Sequence, residues 1–364
     1  MTAGALRSVL LTPNLLGADG VSSLSREMAR ALPKPSVVLS LHDDADGPPN
    51  LPADIETYGE LRGAEGSRGR FLAAAARTSL RCSSATEIVC SHLHLAPAAA
   101  LLAWRGGRIT VVLCGIEAWV PLRRSEAWVL DRAGLLAISE HTVARFKKAN
   151  PAFGSTDVAV CHPGLPGLAR MDGYHTAGST ALIVARMSAA ERYKGHDALL
   201  DLWPDLLARR SDARLVVAGD GDDRARLESR ARSLGLAHAV NFVGRVTDAE
   251  LNELYQQCRF LVMPSRDEGF GLVFLEAMRA GKPCIGSRGA AAEIIQHNVT
   301  GLIVDPDSPG GHVELAAAIL RLFDESDTCC RFGAAGRERF LSTFTDARFQ
   351  TRFVGAIEHR APAP

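Results

Sequence analysis

SRDEGFGLVFLEAMRAGKPCIGS, residues 265–287, reads as a loop, a helix and the beginning of a strand. The apolar run FLVMP ends before it at Pro264, and Gly269 and Gly271 break the chain. LVFLEAMRA then follows helical spacing until Gly281 and Pro283 stop it, in the order expected at a helix C-terminus. Glycines between a strand and a helix let backbone N–H groups approach a phosphate, and the helix N-terminus adds a favourable dipole. Glu268 falls on the loop and Glu276 in the helix, with seven residues between them, so both can face one crevice. A carboxylate accepts two hydrogen bonds from a ribose diol, which suits Glu276, while Glu268 can reach sugar hydroxyls. Taken alone, the stretch is equally a glycine-rich turn with two solvated glutamates.

Short apolar runs on either side set the fold class. One series lies near residues 8, 36, 87, 109, 135 and 157, and a second near 181, 214, 241, 260, 283 and 301. Strands buried on both faces read this way, as in a parallel sheet covered by helices. Helical patterns such as SSLSREMARAL and HDALLDLWPDLLARR alternate with them, which implies right-handed βαβ units and doubly wound sheets. Two series imply two domains, with the glycine- and proline-rich 163–179 segment as the linker.

The second motif is ALIVARMSAAERYKGHDALL, residues 181–200. Arg186 ends a strand, where open α/β sheets bind ligands, and Lys194 follows eight residues later. A departing diphosphate needs cations that stay charged. The plain alternative is a pair of surface cations.

Together the Arg–Lys pair and the two spaced glutamates resemble the retaining glycosyltransferases of family four, group 1. That family has two facing Rossmann-like doubly wound domains, the GT-B fold, with a C-terminal helix crossing back. The resemblance implies an N-terminal acceptor-binding domain over 1–165, a nucleotide-sugar domain over 175–340 and a returning helix over 341–364. It implies that Arg186 and Lys194 hold the diphosphate. Glu268, with Gly269, Phe270, Gly271 and Leu272, would meet the donor sugar, and Glu276 the ribose. The base would lie near Gly219 and between Val243 and Val246. The Arg186-to-Lys194 spacing is longer than the family pattern, so the intervening loop is expected to differ.

The first half matches less sharply. TPNLLGADGVSSLSREMARAL looks like the family's glycine loop, with Gly20 as its best match. CGIEAWVPLRR looks like the H-G-x-E-x-W segment, with Cys114 where the family carries histidine and Glu117 in the acidic position. A thiol is a weak donor and a poor base. Either His92 or His94 of SHLHLAP enters the site, or the backbone supplies the stabilisation. LAISEHT resembles a serine–glutamate turn near the cleft, and Ser139 is equally a helix N-cap.

The bulk numbers exclude several classes. The chain has 364 residues, with 41 basic and 41 acidic side chains, a balance that argues against wrapping nucleic acid. Its eight cysteines include no C-x-x-C pair and sit mostly in apolar runs, which suits free thiols in a reducing cytoplasm. No apolar run approaches a membrane span. GSRGRFLAAAARTSLR carries Arg68, Arg70, Arg77 and Arg81 around an apolar stretch, read as a helix with a core stripe or as a basic helix resting on anionic lipid at the inner face of a membrane.

The expected activity is retaining transfer of a hexose from GDP-mannose or a UDP-hexose to a saccharide or lipid-linked saccharide. No metal or other cofactor is expected: His92-x-His94 lacks further ligands, and Asp44-Ala45-Asp46 reads as a solvated loop rather than the D-x-D of metal-using transferases. The alternatives are a non-catalytic sugar-nucleotide-binding partner and a dinucleotide oxidoreductase. The latter needs a G-x-G-x-x-G turn, which GDGDDRARL does not supply.

Overall fold

The computed structural model describes residues 5–17, 19–44, 58–167 and 178–358. The chain forms two compact units, one of residues 1–164 with 346–364 and one of residues 165–345.

The first unit is built on seven parallel strands: β1 (Ser8–Thr12), β2 (Ser36–Ser40), β3 (Glu60–Gly63), β4 (Glu87–Cys90), β5 (Arg108–Leu113), β6 (Gly134–Ala137) and β7 (Val158–Val160). Their order is β3-β2-β1-β4-β5-β6-β7. α1 (Gly20–Ala31) covers one face. α2 (Arg68–Ser79), α3 (Ala96–Leu102), α4 (Arg124–Leu130) and α5 (Glu140–Ala149) cover the other, as right-handed crossovers require when the winding direction reverses. Val9, Leu11, Val37, Leu39, Val111 and Leu113 point into the core with Phe71, Leu102, Val129 and Phe146 of those helices.

The second unit has six parallel strands: β8 (Thr180–Val184), β9 (Arg214–Ala218), β10 (Val240–Gly244), β11 (Phe260–Met263), β12 (Cys284–Ser287) and β13 (Gly301–Val304). Their order is β10-β9-β8-β11-β12-β13. Its helices are α6 (His196–Arg209), α7 (Arg224–Ser233), α8 (Asp248–Gln257), α9 (Leu272–Arg279), α10 (Ala291–Ile294), α11 (Gly311–Asp324) and α12 (Ser326–Thr343). α13 (Asp346–Glu358) belongs to the first unit and packs on α1, where Gln350 Nε2 donates to Glu27 Oε2 at 3.1 Å. Residue 341, expected to open the returning helix, lies inside α12 of the second unit.

Among the described residues, twelve of the thirteen strands coincide with the apolar runs. The exception is β3, ELRG, an edge strand with one exposed and three partly buried residues. Glu60 is paired with Arg62 and Arg81, so charge patterning that shields an exposed sheet edge also hides the strand from a search for apolar runs. Most of the expected linker, residues 168–177, and Asp46 of the Asp44–Asp46 loop lie outside the described residues.

In both sheets the strand order reverses beside the first strand, between β1 and β4 and between β8 and β11. Loops at the carboxyl ends of such neighbours diverge and leave a crevice. At the second of these points the backbone is tight. Gly219 has φ +130°, and a Cβ there would overlap the carbonyl of Ala185, one residue before Arg186. Gly235 also has positive φ (+72°) but open space around it. Gly219→Ala is therefore expected to destabilise the second unit by at least about 2 kcal/mol, on the scale of forced left-handed backbone plus a clash, and Gly235→Ala by about 1 kcal/mol. Thermal unfolding of the two variants checks this, and equal shifts would contradict it.

Candidate functional site

In the second unit two loops are docked on one another. The loop after β8 runs to Gly195, and the loop after β11 runs from Pro264 to Gly271, the left-handed N-cap of α9. Gly195 has φ +94°, and a Cβ would come within 2.7 Å of the Pro264 ring. The Arg266 N–H donates to the Tyr193 carbonyl at 3.0 Å. That contact carries Lys194 across to the second loop, where its Nζ donates to Glu268 Oε2 at 2.8 Å, both side chains being mostly buried. Two of the expected residues are thus in direct contact, although 74 positions separate them.

Arg186 sits two residues beyond β8, with its side chain 63% exposed and its Nε 3.6 Å from Glu191 Oε2. Next to Lys194 in the same loop stands Tyr193. Burial pushes its phenol well above the ordinary tyrosine range, and the nearby carboxylates of Glu191, Glu268 and Asp267 push it further, against Arg186. It therefore stays protonated as a hydroxyl donor. The Lys194 ammonium lies 5.3 Å from the centre of its ring. Sequence reading passed over Tyr193 and Glu191, although both lie in the segment whose length departs from the family pattern.

Glu276 lies on the second turn of α9. It accepts from the Tyr255 hydroxyl at 2.7 Å through Oε2, and Tyr255, on α8, is fully buried. Burial raises the Glu276 pKa above the ordinary glutamate range, and the Tyr255 hydrogen bond works in the opposite direction. Phe270 is buried, with its ring 6.2 Å from that of Phe344, so only its backbone can serve a ligand. A Cβ on Gly271 (φ +99°) would meet the Phe274 ring at 2.7 Å, so a left-handed glycine is needed where α9 begins at Leu272. The Gly219 N–H donates to the Gly244 carbonyl at 2.9 Å, which leaves it structural rather than a ligand donor. Val243 and Val246 are partly exposed beside it.

The expected residues of the first unit are largely engaged with their own loops. Asp19 caps α1 through the N–H groups of Val21 and Ser22, and Gly20 is the first residue of that helix. The loop before it is shaped by Asp43, which accepts from Leu15 N at 2.7 Å and Leu16 N at 3.3 Å, and by Arg26, which donates to the carbonyls of Leu15 and Gly17, both at 2.8 Å. Gly17 is crowded here, since a Cβ would lie 2.5 Å from Asn14 Nδ2. The Cys114 thiol donates to the Ser91 carbonyl at 3.1 Å, and burial raises its pKa well above the thiol range. One Glu117 oxygen accepts from the N–H groups of Cys114, at 2.7 Å, and Gly115, at 3.1 Å. His94 Nδ1 is 2.9 Å from Glu126 Oε1. His92 Nδ1 accepts from the His94 N–H at 3.3 Å, and burial lowers its pKa. Ser139 is the N-cap of α5, accepting from Thr142 N at 3.0 Å. Among the described residues no three His, Cys, Asp or Glu side chains gather as a metal site.

Residues 175–339 match the family model for glycosyl transferases group 1. A GDP-mannose-dependent alpha-(1-6)-phosphatidylinositol monomannoside mannosyltransferase of Mycobacterium tuberculosis is 33% identical over 239 residues, 60% of this chain and 60% of that protein. A glycogen synthase of the same organism is 29% identical over 261 residues, 70% of this chain and 59% of that protein. The chain therefore spans about 60% of the length of these curated relatives. The crystal structure of Anabaena HepE in complex with UDP and glucose superposes with a TM-score of 0.77 at 18% identity, covering 98% of this chain and all of that one, a likeness of fold. The segment 175–339 thus matches the glycosyl transferases group 1 model, within a chain that has the two-sheet α/β fold of the GT-B glycosyltransferases.

Proposed function

We propose that this chain is a retaining hexosyltransferase that moves a sugar from a nucleotide diphosphate sugar to a saccharide or lipid-linked saccharide acceptor in glycoconjugate or exopolysaccharide synthesis. The observation that carries the reading is the Lys194–Glu268 contact at the docked loops, flanked by Arg186, Tyr193 and the N-terminus of α9. As the bond to the sugar breaks, negative charge grows on the departing diphosphate. Lys194, Arg186 and the positive end of the α9 dipole would hold that charge, and Glu268 would hold the sugar hydroxyls. Tyr255 fixes one oxygen of Glu276, which leaves the other to accept from the ribose. No carboxylate is assigned as a covalent nucleophile, so same-face attack is proposed, with a phosphate oxygen of the leaving group taking the acceptor's proton. Fixed cations serve where a metal would otherwise neutralise the diphosphate, so the reaction is proposed to need none.

The mannosyltransferase relative supports GDP-mannose as donor, and HepE, with its bound UDP, supports a UDP-hexose. The eight free cysteines support a reducing, cytoplasmic setting. Among the described residues no helix is long and apolar enough to cross a membrane, so a lipid-linked acceptor would be met at a membrane surface. A second reading, a non-catalytic nucleotide-sugar-binding partner, draws on Cys114, whose thiol is tied to the Ser91 carbonyl.

Transfer or slow hydrolysis of GDP-mannose or UDP-hexoses by the purified chain separates the two readings: turnover supports the transferase, and binding without turnover supports the partner. In an active preparation Lys194→Ala is expected to lower kcat by about 10²–10³, the scale of one charge-stabilising donor, with EDTA leaving wild-type turnover unchanged. Wild-type kcat in that variant would overturn the role of Lys194.

Glu276 predicts a pH signature. Its raised pKa means that the ionised acceptor is present above that pKa and is lost as pH falls through it, beginning above the ordinary glutamate range. Affinity for GDP or UDP, measured by calorimetry, should decline on that acid side, and Glu276→Gln should bind more weakly at neutral pH without the decline. The same decline in both proteins would assign it to another group.

A further inference from the structure

The first unit carries an apolar, arginine-rich face that its own fold leaves uncovered. α2 packs against α3, and α3 against α4, on one side of the sheet. α2 buries Phe71, Ala75 and Thr78, yet its outward side is also apolar: Leu72, Ala73, Ala76 and Leu80 follow helical spacing and are exposed, Leu80 by 67%. Leu101 at the end of α3, Trp104 in the turn Ala103–Arg105 and Trp128 on α4 extend the same outward layer. Trp104 is 64% exposed and Trp128 56%. Single exposed leucines are ordinary, but two indoles and three leucines on three adjoining helices form a patch.

The charge around this patch has one dominant sign. Arg68, Arg77, Arg105 and Arg124 are exposed and have no ion pair among the described residues. Arg70 is paired with Glu65, and Arg132 lies 3.4 Å from Asp131. The acid within α4, Glu126, is buried against His94, and α2 contains three arginines and no acid. Each indole carries a cation: the Arg132 guanidinium lies 4.7 Å from the Trp128 ring centre, and that of Arg105 lies 5.7 Å from Trp104.

This combination selects among partners. A second copy meeting the same face would set arginine against arginine, because a two-fold contact uses one patch twice. A polyanion alone would leave the leucines without a role. A bilayer interface meets both needs: indoles rest at headgroup level, leucines reach the acyl boundary, and arginines meet anionic headgroups, each contributing attraction that salt screens. We propose that the outward face of α2, α3 and α4 docks the first unit on an anionic lipid bilayer, with Trp104 and Trp128 as its interfacial anchors. The surface belongs to the first unit and the proposed donor residues to the second, so the proposal does not depend on the reading of the second unit.

Flotation of the full chain with vesicles tests this. One set is phosphatidylcholine alone, and the other an equal mixture of phosphatidylcholine and phosphatidylglycerol. Wild type is expected to float with the mixed vesicles only, to be released by high salt, and to show a blue shift of tryptophan emission on binding. Trp104→Ala/Trp128→Ala and Arg68→Ser/Arg77→Ser should each weaken the partition by on the order of tenfold. Circular dichroism of the variants should match wild type, as expected for exposed positions, and transfer to a water-soluble acceptor should be unchanged. Failure of wild type to bind mixed vesicles would overturn the proposal, as would undiminished binding by both variants. Sedimentation showing concentration-dependent self-association that the tryptophan variant abolishes would assign the face to a second copy instead. Lost transfer with intact flotation would count against the reading of the second unit alone.

Discussion

The contact between the β8–α6 loop and the β11–α9 loop is the constraint on which the candidate site rests. It is set by backbone before any charge is considered: a glycine with no Cβ lies against Pro264, and one main-chain hydrogen bond links Arg266 to Tyr193. With the loops docked, the lysine next to that glycine has little choice of direction. Its ammonium and the Glu268 carboxylate meet where both are mostly buried. Partly desolvated charges are held by each other, and removing either leaves its partner uncompensated.

The strand order explains why this happens at that place. β8 and β11 are sheet neighbours whose chains depart in opposite winding directions, so the loops after them start side by side at a shared edge, where they can meet. The first unit repeats the arrangement at β1 and β4, but its polar groups serve a different end. Asp43, Arg26, Glu117 and Ser139 each satisfy backbone groups of the loops they support. These side chains shape a surface by fixing its main chain. The thiol of Cys114 belongs with them, bonded to a carbonyl and held protonated by burial.

Helix packing in the two units also differs in what it leaves outside. The second unit buries α6, α7 and α11 against its sheet through Leu199, Trp203, Leu227 and Phe323. In the first unit, α2 is apolar on two sides, one of which the sheet takes.

The sequence determined the parallel sheets, because continuous β-branched runs can be buried on both faces only between helices, and twelve strands announced themselves that way. It also marked Arg186, Lys194, Glu268 and Glu276, whose spacing around glycines is local and readable. It concealed β3, whose charges protect an edge, and it did not show that His94 meets Glu126 or that His92 and Glu117 accept from the chain's own amides. Tertiary structure alone decided that Lys194 meets Glu268, that Tyr193 sits among three carboxylates, and that Tyr255 holds Glu276. Most of those contacts join residues on different βα segments, and a one-dimensional pattern carries periodicity and turn chemistry but not the direction in which a side chain leaves the folded backbone.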